Sequence, residues 1–254
     1  MAERLVTQGV VLRETQTKEA DKILTVLTAG SGKLAVVARG ARRKTSRIAA
    51  ASQLFALSEM VLYESRGWYM LDEASTIMTF DGLRWDVELL ALSSYFAEMT
   101  ETVASEGENA DELMALLLNA LYALETMQKP RALVKAAFEL KLTALAGYQP
   151  LLTECAVCGR SAPVEPVFDA AEGVVSCRAC AGAAAEQMLP LDPPSLAAMR
   201  HVIGAPRKRM LSFMIRGEAL RRFERACETF ARVQLDRPFR TLDYYKSIRT
   251  EEET

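Results

Sequence analysis

Four of the five cysteines stand in two pairs whose spacing suits a metal ion. The first pair lies in CAVC and the second in CRAC, with eighteen residues between them. Two residues between thiolates let one tight turn direct both sulfurs at the same ion, and Gly159 and Gly182, just beyond each pair, permit the chain to reverse. The spacing therefore predicts one structural zinc ion, with no position open to substrate, bound by Cys155, Cys158, Cys177 and Cys180.

Disulfides, a redox-active dithiol and an iron–sulfur cluster are the alternatives for these cysteines. Disulfides are disfavoured in a cytoplasmic protein, and a redox motif normally needs only one pair, at the start of a helix. Zinc is preferred because the spacing lies inside its usual window. A segment of about forty residues with few large apolar side chains also hardly folds without a metal. Cys227 lies on an apolar helical stripe and is expected to be a small core residue.

The basic segment, residues 39–47, is the second group of residues that could bind a ligand. It contains five cations, Arg39, Arg42, Arg43, Lys44 and Arg47. With Lys22 and Lys33, seven cations and no acidic residue lie between Asp21 and Glu59. Guanidinium groups bind phosphate oxygens in bidentate fashion, and acid-free surroundings leave them uncompensated. An anionic partner is expected, and the alternative is a solvated loop without a ligand.

The charge of the whole chain limits this interpretation. The formal net charge is -2 and the pI is near 5.7, which excludes a wholly basic DNA-coating protein but allows a local positive groove. No apolar run approaches the roughly 20 residues needed to span a bilayer, and the chain start lacks the order of a signal peptide. We expect a cytoplasmic protein without membrane contact.

The elements that must position these residues change along the chain. Five β-branched segments separated by glycines suit a small barrel, which leaves no exposed edge. The predicted strands are Leu5–Leu12, Lys22–Leu27, Lys33–Ala38, Leu54–Tyr63 and Trp68–Leu71. Four aromatic residues near the basic segment are candidates for stacking on bases, although each is also a candidate core residue: Phe55, Tyr63, Trp68 and Tyr69.

Helical periodicity begins near residue 81, where apolar residues recur at three- and four-residue intervals. A third helix is predicted after Pro130, with Gly147 and Pro150 as its stop. Residues 151–190 differ in composition and interrupt the helical pattern, which resumes near Ser195 and continues to Val233. The sequence thus predicts a helical domain interrupted by a small cysteine-rich module.

Several short motifs follow one another in a specific order. They are Gly30-Ser31-Gly32-Lys33, Ala38-Arg39-Gly40-Ala41-Arg42-Arg43, Gln53-Leu54-Phe55, Gly147-Tyr148-Gln149-Pro150, and CAVCG through CRAC. In this order, and over nearly the whole chain, they resemble the RecO family of bacterial DNA repair and recombination-mediator proteins. The resemblance implies an α+β multidomain fold, in which an N-terminal OB-fold β-barrel is followed by a helical domain with an inserted Cys₄ zinc module.

The expected domains are an OB-fold nucleic-acid-binding domain at 1–80, a helical domain in two parts at 81–150 and 191–245, the zinc-binding module at 151–190, and a tail at 246–254. The family implies binding of single- and double-stranded DNA, annealing of complementary strands, and loading of the recombinase RecA together with RecR. It also implies contact with the acidic C-terminal tail of single-stranded-DNA-binding protein.

Carried over residue by residue, the DNA role falls on Lys33, Arg39, Arg42, Arg43, Lys44 and Arg47. Metal ligation falls on Cys155, Cys158, Cys177 and Cys180. The cluster Arg207-Lys208-Arg209, followed by apolar residues, has the chemistry to bind an acidic peptide end, and a solvated helix start is an equal alternative.

The sequence shows no assembled active site, so we expect a protein that is not an enzyme. Lys33 is not followed by the Ser or Thr of a phosphate-binding loop, and the single histidine, His201, has no nucleophile motif beside it. The pattern Glu139-Leu140-Lys141 lies within a predicted helix, without the further carboxylates of a nuclease. The rivals are a zinc-containing interaction scaffold that does not bind DNA, and a metal-dependent nuclease.

Overall fold

The computed structural model describes residues 4–17 and 19–249. The N-terminal part is a closed barrel of five strands in the order β1-β2-β3-β5-β4, in which only β3 and β5 pair in parallel. The strands are β1 Arg4–Thr17, β2 Asp21–Thr28, β3 Gly32–Ala38, β4 Leu57–Ser65 and β5 Trp68–Met78. The predicted OB-like, five-stranded barrel is confirmed.

The barrel core follows from the period-two alternation of apolar residues along the strands. On β2, Leu24 and Val26 are fully buried, whereas the intervening Ile23 and Thr25 lie outside the core and are only half-buried. Burying each such aliphatic side chain contributes about 1.5–3 kcal/mol. The alternation of apolar residues along each strand therefore determines which side chains fill the barrel and which lie on its outer surface.

The first, fourth and fifth strands differ from the predicted bounds, and β1 runs to Thr17 instead of ending at Leu12. Strand β4 begins at Leu57, because Phe55 adopts a left-handed backbone (φ +66°) and its N–H donates to the carbonyl of Val11 instead of joining the strand. Strand β5 continues past Leu71 to Met78, although most of its last seven side chains are exposed. Backbone pairing with β4 holds this part of the strand, so apolar alternation does not reveal it.

Three helices follow the barrel, as the periodicity predicts. They are α1 Val87–Val103, α2 Asp111–Thr126 and α3 Arg131–Leu145. The side chain of Asp86 caps α1 by accepting hydrogen bonds from the backbone N–H groups of Glu88 and Leu89. Helix α3 begins directly after Pro130, which is its N-cap residue.

The cysteine-rich region contains a small sheet in the order β7-β6-β8, and helices resume beyond it. The elements are β6 Pro166–Asp169, β7 Val174–Cys177, α4 Arg178–Ala181, β8 Leu189–Pro190, α5 Pro193–Gly204, α6 Gly217–Gln234 and α7 Arg240–Ile248. A reciprocal capping box between Asp192 and Ser195 starts α5. The helical pattern predicted from Ser195 is present, with a break between α5 and α6 that contains a short 3₁₀ helix, Arg207–Arg209.

The chain divides into two compact units. One holds the residues up to Leu121 together with Thr241–Tyr245, and the other holds Tyr122–Arg240 with the residues after Tyr245. This division falls within α2, so the expected boundaries at 80, 150, 190 and 245 stay a prediction. Among the described residues, no helix is long and apolar enough to cross a membrane.

Candidate nucleic-acid interface and metal centre

The basic segment begins where β3 ends, and backbone hydrogen bonds fix its start. The N–H of Gly40 donates to Asp21 Oδ1 at 2.8 Å, and the N–H of Arg42 donates to the carbonyl of Ala20 at 3.0 Å. Gly40 has φ +66°, a conformation that costs glycine little and other residues more. The first cations are therefore attached to the barrel and do not extend from a free loop.

Apolar residues anchor the rest of the connection between β3 and β4. Ala41 and Ile48 are buried in the barrel core, and Phe55 is fully buried. Lys22 also serves this connection, because its Nζ donates to the carbonyl of Ser52 at 3.2 Å and pairs with Glu14 at 2.7 Å. Lys22 is thus a structural cation, although it is one of the seven found in the sequence.

The five cations of the basic segment remain available to a ligand. All five are exposed, and none forms an ion pair with a carboxylate among residues 4–17 and 19–249. Within the described parts of the chain, the one hydrogen bond that their side chains form joins Arg42 Nη1 to the carbonyl of Glu19, at 3.3 Å. The uncompensated charge expected from the sequence is therefore present as a surface of one anchored segment.

Lys33 is not part of this surface. It lies at the opposite end of β3 from Arg39, six residues or roughly 20 Å of strand away. Its Nζ donates to the backbone carbonyl of Glu101 at 2.7 Å, next to α1. Its assignment to DNA stays a prediction, and its geometry indicates a contact that holds the barrel to α1.

The four candidate stacking residues differ in exposure. Phe55 is fully buried and packs as a core residue, whereas Tyr63 and Tyr69 are half-buried. Trp68, the first residue of β5, is 48% exposed. Of the four, Trp68 offers the largest accessible ring surface.

The four cysteines meet at one point. Their sulfur atoms all lie within 4.8 Å of one another, and Cys158 Sγ is 4.0 Å from Cys177 Sγ. Tetrahedral zinc with Zn–S bonds of about 2.3 Å needs sulfurs about 3.8 Å apart. These residues could hold a metal ion, and the predicted grouping of the two pairs is present: Cys155, Cys158, Cys177 and Cys180.

Backbone groups prepare the cysteine sulfurs as ligands. The N–H of Cys177 donates to Cys155 Sγ and the N–H of Val164 donates to Cys177 Sγ, each at 3.3 Å. Hydrogen bonds from the backbone, first from Cys158 and then from Cys177, lower the pKa of Cys155 to about 6. Such donors favour the thiolate, which is the form that binds metal. At Cys177 the donor from Val164 is outweighed by burial and by the neighbouring cysteines, which raise the pKa of that thiol.

The first cysteine turn has the predicted shape. Gly159 adopts φ +70°, and its N–H donates to the carbonyl of Cys155 at 2.9 Å. The chain then reverses, so the N–H of Cys155 reaches the carbonyl of Arg160 at 2.9 Å.

Side chains outside the cysteine-rich segment hold it in place, and sequence patterns did not identify them. Arg200 on α5 donates to the carbonyls of Leu152 (2.6 Å), Thr153 (3.0 Å) and Ser161 (2.9 Å). On α6, the Gln234 side chain donates to the carbonyls of Ala170 and Ala171. No local signal distinguishes Arg200 from other helix-surface arginines, because its partners are backbone groups about forty residues earlier.

A hydrophobic contact adds to these hydrogen bonds. The ring of Phe168, on β6, meets that of Phe230, on α6, edge to face at 5.5 Å. The cysteine module and the helices α5 and α6 thus share a core within the second unit.

The residues considered for catalysis have structural partners. Glu139 is fully buried and pairs with Lys135 at 3.0 Å, and Lys141 Nζ donates to the carbonyl of Ile203 at 2.9 Å. His201 Nε2 lies 2.9 Å from the carbonyl of Arg209, which requires that nitrogen to carry the proton. It therefore does not act as a base toward Ser212 Oγ, which lies at 3.3 Å.

Comparison with known proteins identifies the family. The family model "Recombination protein O N terminal" matches residues 1–80, and "Recombination protein O C terminal" matches residues 84–243. A DNA repair protein RecO from Symbiobacterium thermophilum is 30% identical over 95% of this chain and 96% of the relative. For that of Rubrobacter xylanophilus the identity is 33%, over 87% and 89% of the two chains, and for that of Desulforudis audaxviator it is 38%, over 68% and 69%. The chain belongs to the RecO family of DNA repair proteins.

Proposed function

We propose that this chain is a DNA repair and recombination mediator whose basic segment binds the phosphates of single- and double-stranded DNA. The observation that carries the proposal is a set of five exposed cations on an anchored segment of an OB-like barrel, none of which pairs with a carboxylate of the described residues. Arg39, Arg42 and Arg43 supply bidentate donors, and Lys44 and Arg47 supply further charge. These side chains contact the sugar–phosphate backbone of the DNA, so binding is largely independent of base sequence.

Annealing of complementary strands follows physically from this surface. Two strands repel each other through their phosphates, and a protein that neutralises both lowers this repulsion. Contacts to phosphates leave the base edges free to pair. The proposal therefore includes annealing. Membership of the RecO family supports its further part, which is the loading, with RecR, of the recombinase onto DNA that is coated by single-stranded-DNA-binding protein.

The acidic tail of that protein is the proposed partner of the second unit. Arg207, Lys208 and Arg209 are exposed and precede Met210 and Leu211, which are buried. A pull-down with the intact partner and with a partner lacking its terminal residues tests the contact, because only the intact form should be retained.

The cysteine cluster is proposed to hold one zinc ion with a structural role. Four thiolate ligands fill a tetrahedral shell and leave no place for substrate. In this proposal the protein is not an enzyme, its metal stabilises the second unit, and it works in the cytoplasm beside nucleoid DNA.

The experiment that tests DNA binding compares two double variants by fluorescence anisotropy with labelled oligonucleotides. Arg42→Glu with Arg43→Glu changes the basic segment, and Arg225→Glu with Arg232→Glu changes two exposed arginines of α6 that form no ion pair with any other described residue. Each double variant changes the net charge from -2 to -6, two exchanges of two charges each. The two variants therefore have the same net charge, and a difference between their DNA affinities depends on where the changed residues lie.

We expect the basic-segment variant to lose at least about tenfold in affinity, and its log–log salt slope for single strands to fall from about -3.5 to about -2.1. The α6 variant should bind DNA like the original protein. Equal affinities of the two variants would contradict the site assignment, and absence of DNA binding by the unmodified chain at low salt would contradict the function.

A further inference from the structure

A cavity of about 530 Å³ lies on the outside of the barrel, beside the basic segment. This volume is within the range of about 300–1,000 Å³ that is typical of small-ligand sites. The residues that line it come from the ends of all five strands or the turns next to them: Thr17, Asp21, Ile23, Val37, Arg39, Ser65, Arg66, Trp68 and Met70.

The lining combines three kinds of chemistry. Apolar surface comes from Ile23 and Val37, which point away from the barrel core between core residues of their strands, and from Met70. Trp68 adds an aromatic ring that is 48% exposed, and Arg39 and Arg66 add two exposed guanidinium groups. Proteins combine aromatic rings with cationic side chains to hold single-stranded nucleic acid.

The walls of the cavity are fixed before any ligand arrives. Asp21 Oδ1 accepts the 2.8 Å hydrogen bond from the N–H of Gly40 and so joins the start of β2 to the end of β3. Trp68 is held by the two-residue turn between β4 and β5, in which Arg66 (φ +55°) and Gly67 (φ +77°) both have left-handed backbones. This turn type suits the twist of paired strands, so the ring is presented on a short, defined hairpin.

We propose that this cavity holds one unpaired base of a single strand, stacked on Trp68, with Arg39 and Arg66 at the neighbouring phosphates. The inference rests on the proposed DNA-binding function and specifies which form of DNA the barrel distinguishes. Arg39 belongs both to the cavity and to the basic segment, so a strand that follows the segment reaches the cavity through it. A duplex keeps its bases stacked and paired, and it can use the phosphate contacts alone.

Asp21 favours a base over an acidic peptide as the occupant. Its carboxylate lines the cavity and repels a carboxylate-rich peptide, whereas the amino groups of bases can donate to it. The hydroxyls of Thr17 and Ser65 also line the cavity and can pair with base edges.

The two tryptophans of the chain make the site measurable. Trp85 is 87% exposed and does not line the cavity, so Trp85→Phe leaves Trp68 as the only tryptophan. A poly-dT oligonucleotide should quench the fluorescence of this variant with saturation, because stacked bases quench indole. A blunt duplex of equal length should quench it little, although it binds by anisotropy.

Affinities provide the second measurement, with Trp85→Ala as the matched control for Trp68→Ala. Stacking of one base supports a loss of about 5- to 150-fold in single-strand affinity for Trp68→Ala. Its duplex affinity, and both affinities of Trp85→Ala, should change by less than about twofold. Trp68→Phe keeps an aromatic ring and should retain most of the affinity, which separates stacking from damage to the fold.

The outcomes distinguish this inference from the proposed function. Undiminished single-strand binding by Trp68→Ala overturns the base site while DNA binding stands. Equal losses for single strands and duplex also overturn it. Quenching by an acidic aromatic peptide but not by poly-dT would assign the cavity to a protein partner, and failure of the unmodified chain to bind any DNA at low salt would remove the proposed function itself.

Discussion

Lys135 is fully buried within the second unit, yet it carries a charge that three carboxylates surround. Its Nζ lies 2.8 Å from Glu228, 3.0 Å from Glu139 and 3.6 Å from Glu224. Lys246 and Arg249 approach Glu228 and Glu224 from the last helix and its end. A buried charge is stable only with partners of opposite charge. The ion pairs of this network therefore hold α3 against α6.

Replacement of Lys135 by Met should destabilise the protein by about 3–5 kcal/mol, because it leaves Glu139 and its neighbours buried without their cation. Urea unfolding at pH 7 measures the loss. Lys208→Met, at an exposed lysine, is the control and should change the stability by less than about 0.5 kcal/mol. A loss below about 1 kcal/mol for Lys135→Met would show that water or repacking compensates the carboxylates.

The effect of Lys135→Met should also depend on pH. Burial alone would lower the pKa of Lys135, but Glu139, Glu228 and Glu224 raise it above its usual range. Burial would raise the pKa of Glu228, but Lys135 and Lys246 hold it below its ordinary value. The contribution of Glu228 is therefore complete above the ordinary carboxyl pKa of about 4.3 and is lost as pH falls through the lowered folded value.

The contribution of Lys135 is complete below the ordinary lysine pKa of about 10.4 and is lost only as pH rises through the raised folded value. The network thus stabilises the protein across the neutral range. The difference in stability between the original chain and Lys135→Met should shrink as the pH is lowered from 7 toward 4, because protonation relieves the orphaned carboxylates. A constant difference over that interval would contradict the charged network.

Sequence patterns could not reveal this network. Lys135 and Glu139 are four residues apart in a helix, the spacing of an ordinary surface pair, and the apolar residues around them already define a stripe. Burial of the pair depends on carboxylates that arrive from α6, about ninety residues later. Long-range partners of this kind leave no periodic signal.

At the scale of elements, the strands could be predicted because apolar alternation follows from the barrel core. The end of β5 was not predicted, because its side chains are mostly exposed and only backbone pairing with β4 holds it in the sheet. The cysteine spacing predicted the four-sulfur cluster, since local turns determine it. It did not predict the attachment of that cluster to α5 and α6, which depends on Arg200, Gln234 and a ring contact.

Arg200→Met should weaken the metal site without touching a ligand. The variant removes three hydrogen bonds to the loop that carries the first cysteine pair, so the loop loses its fixed position. We expect metal affinity to fall on the order of tenfold, as for other outer contacts of metal sites. Competition with a chromophoric chelator measures the affinity.

Arg225→Met is the control for Arg200→Met, because Arg225 is exposed and belongs to the same unit. It should release metal like the original protein. If both variants hold metal equally well, the carbonyl contacts of Arg200 do not support the site.

At the scale of the whole molecule, positive charge is concentrated in the basic segment, although the net charge of the chain is negative. A chain of net charge -2 lacks general attraction to DNA, so the proposed binding must depend on local cations. The basic segment, which is proposed to bind DNA, lies in the first compact unit, whereas the four cysteines that could bind a metal ion lie in the second. Composition cannot reveal such a separation, whereas contacts within each unit do.

Metal removal should therefore affect stability and DNA binding differently. Elemental analysis should find one zinc per chain, and both a chelator and Cys155→Ser should remove it and lower the melting temperature, since the small sheet then loses its main constraint. The salt slope for single strands should stay at about -3.5, because the five cations of the basic segment stay in place. If DNA affinity falls in proportion to the metal lost, the second unit supplies part of the DNA site, and if the metal is iron with a visible absorption band, the cysteines hold a cluster instead of zinc.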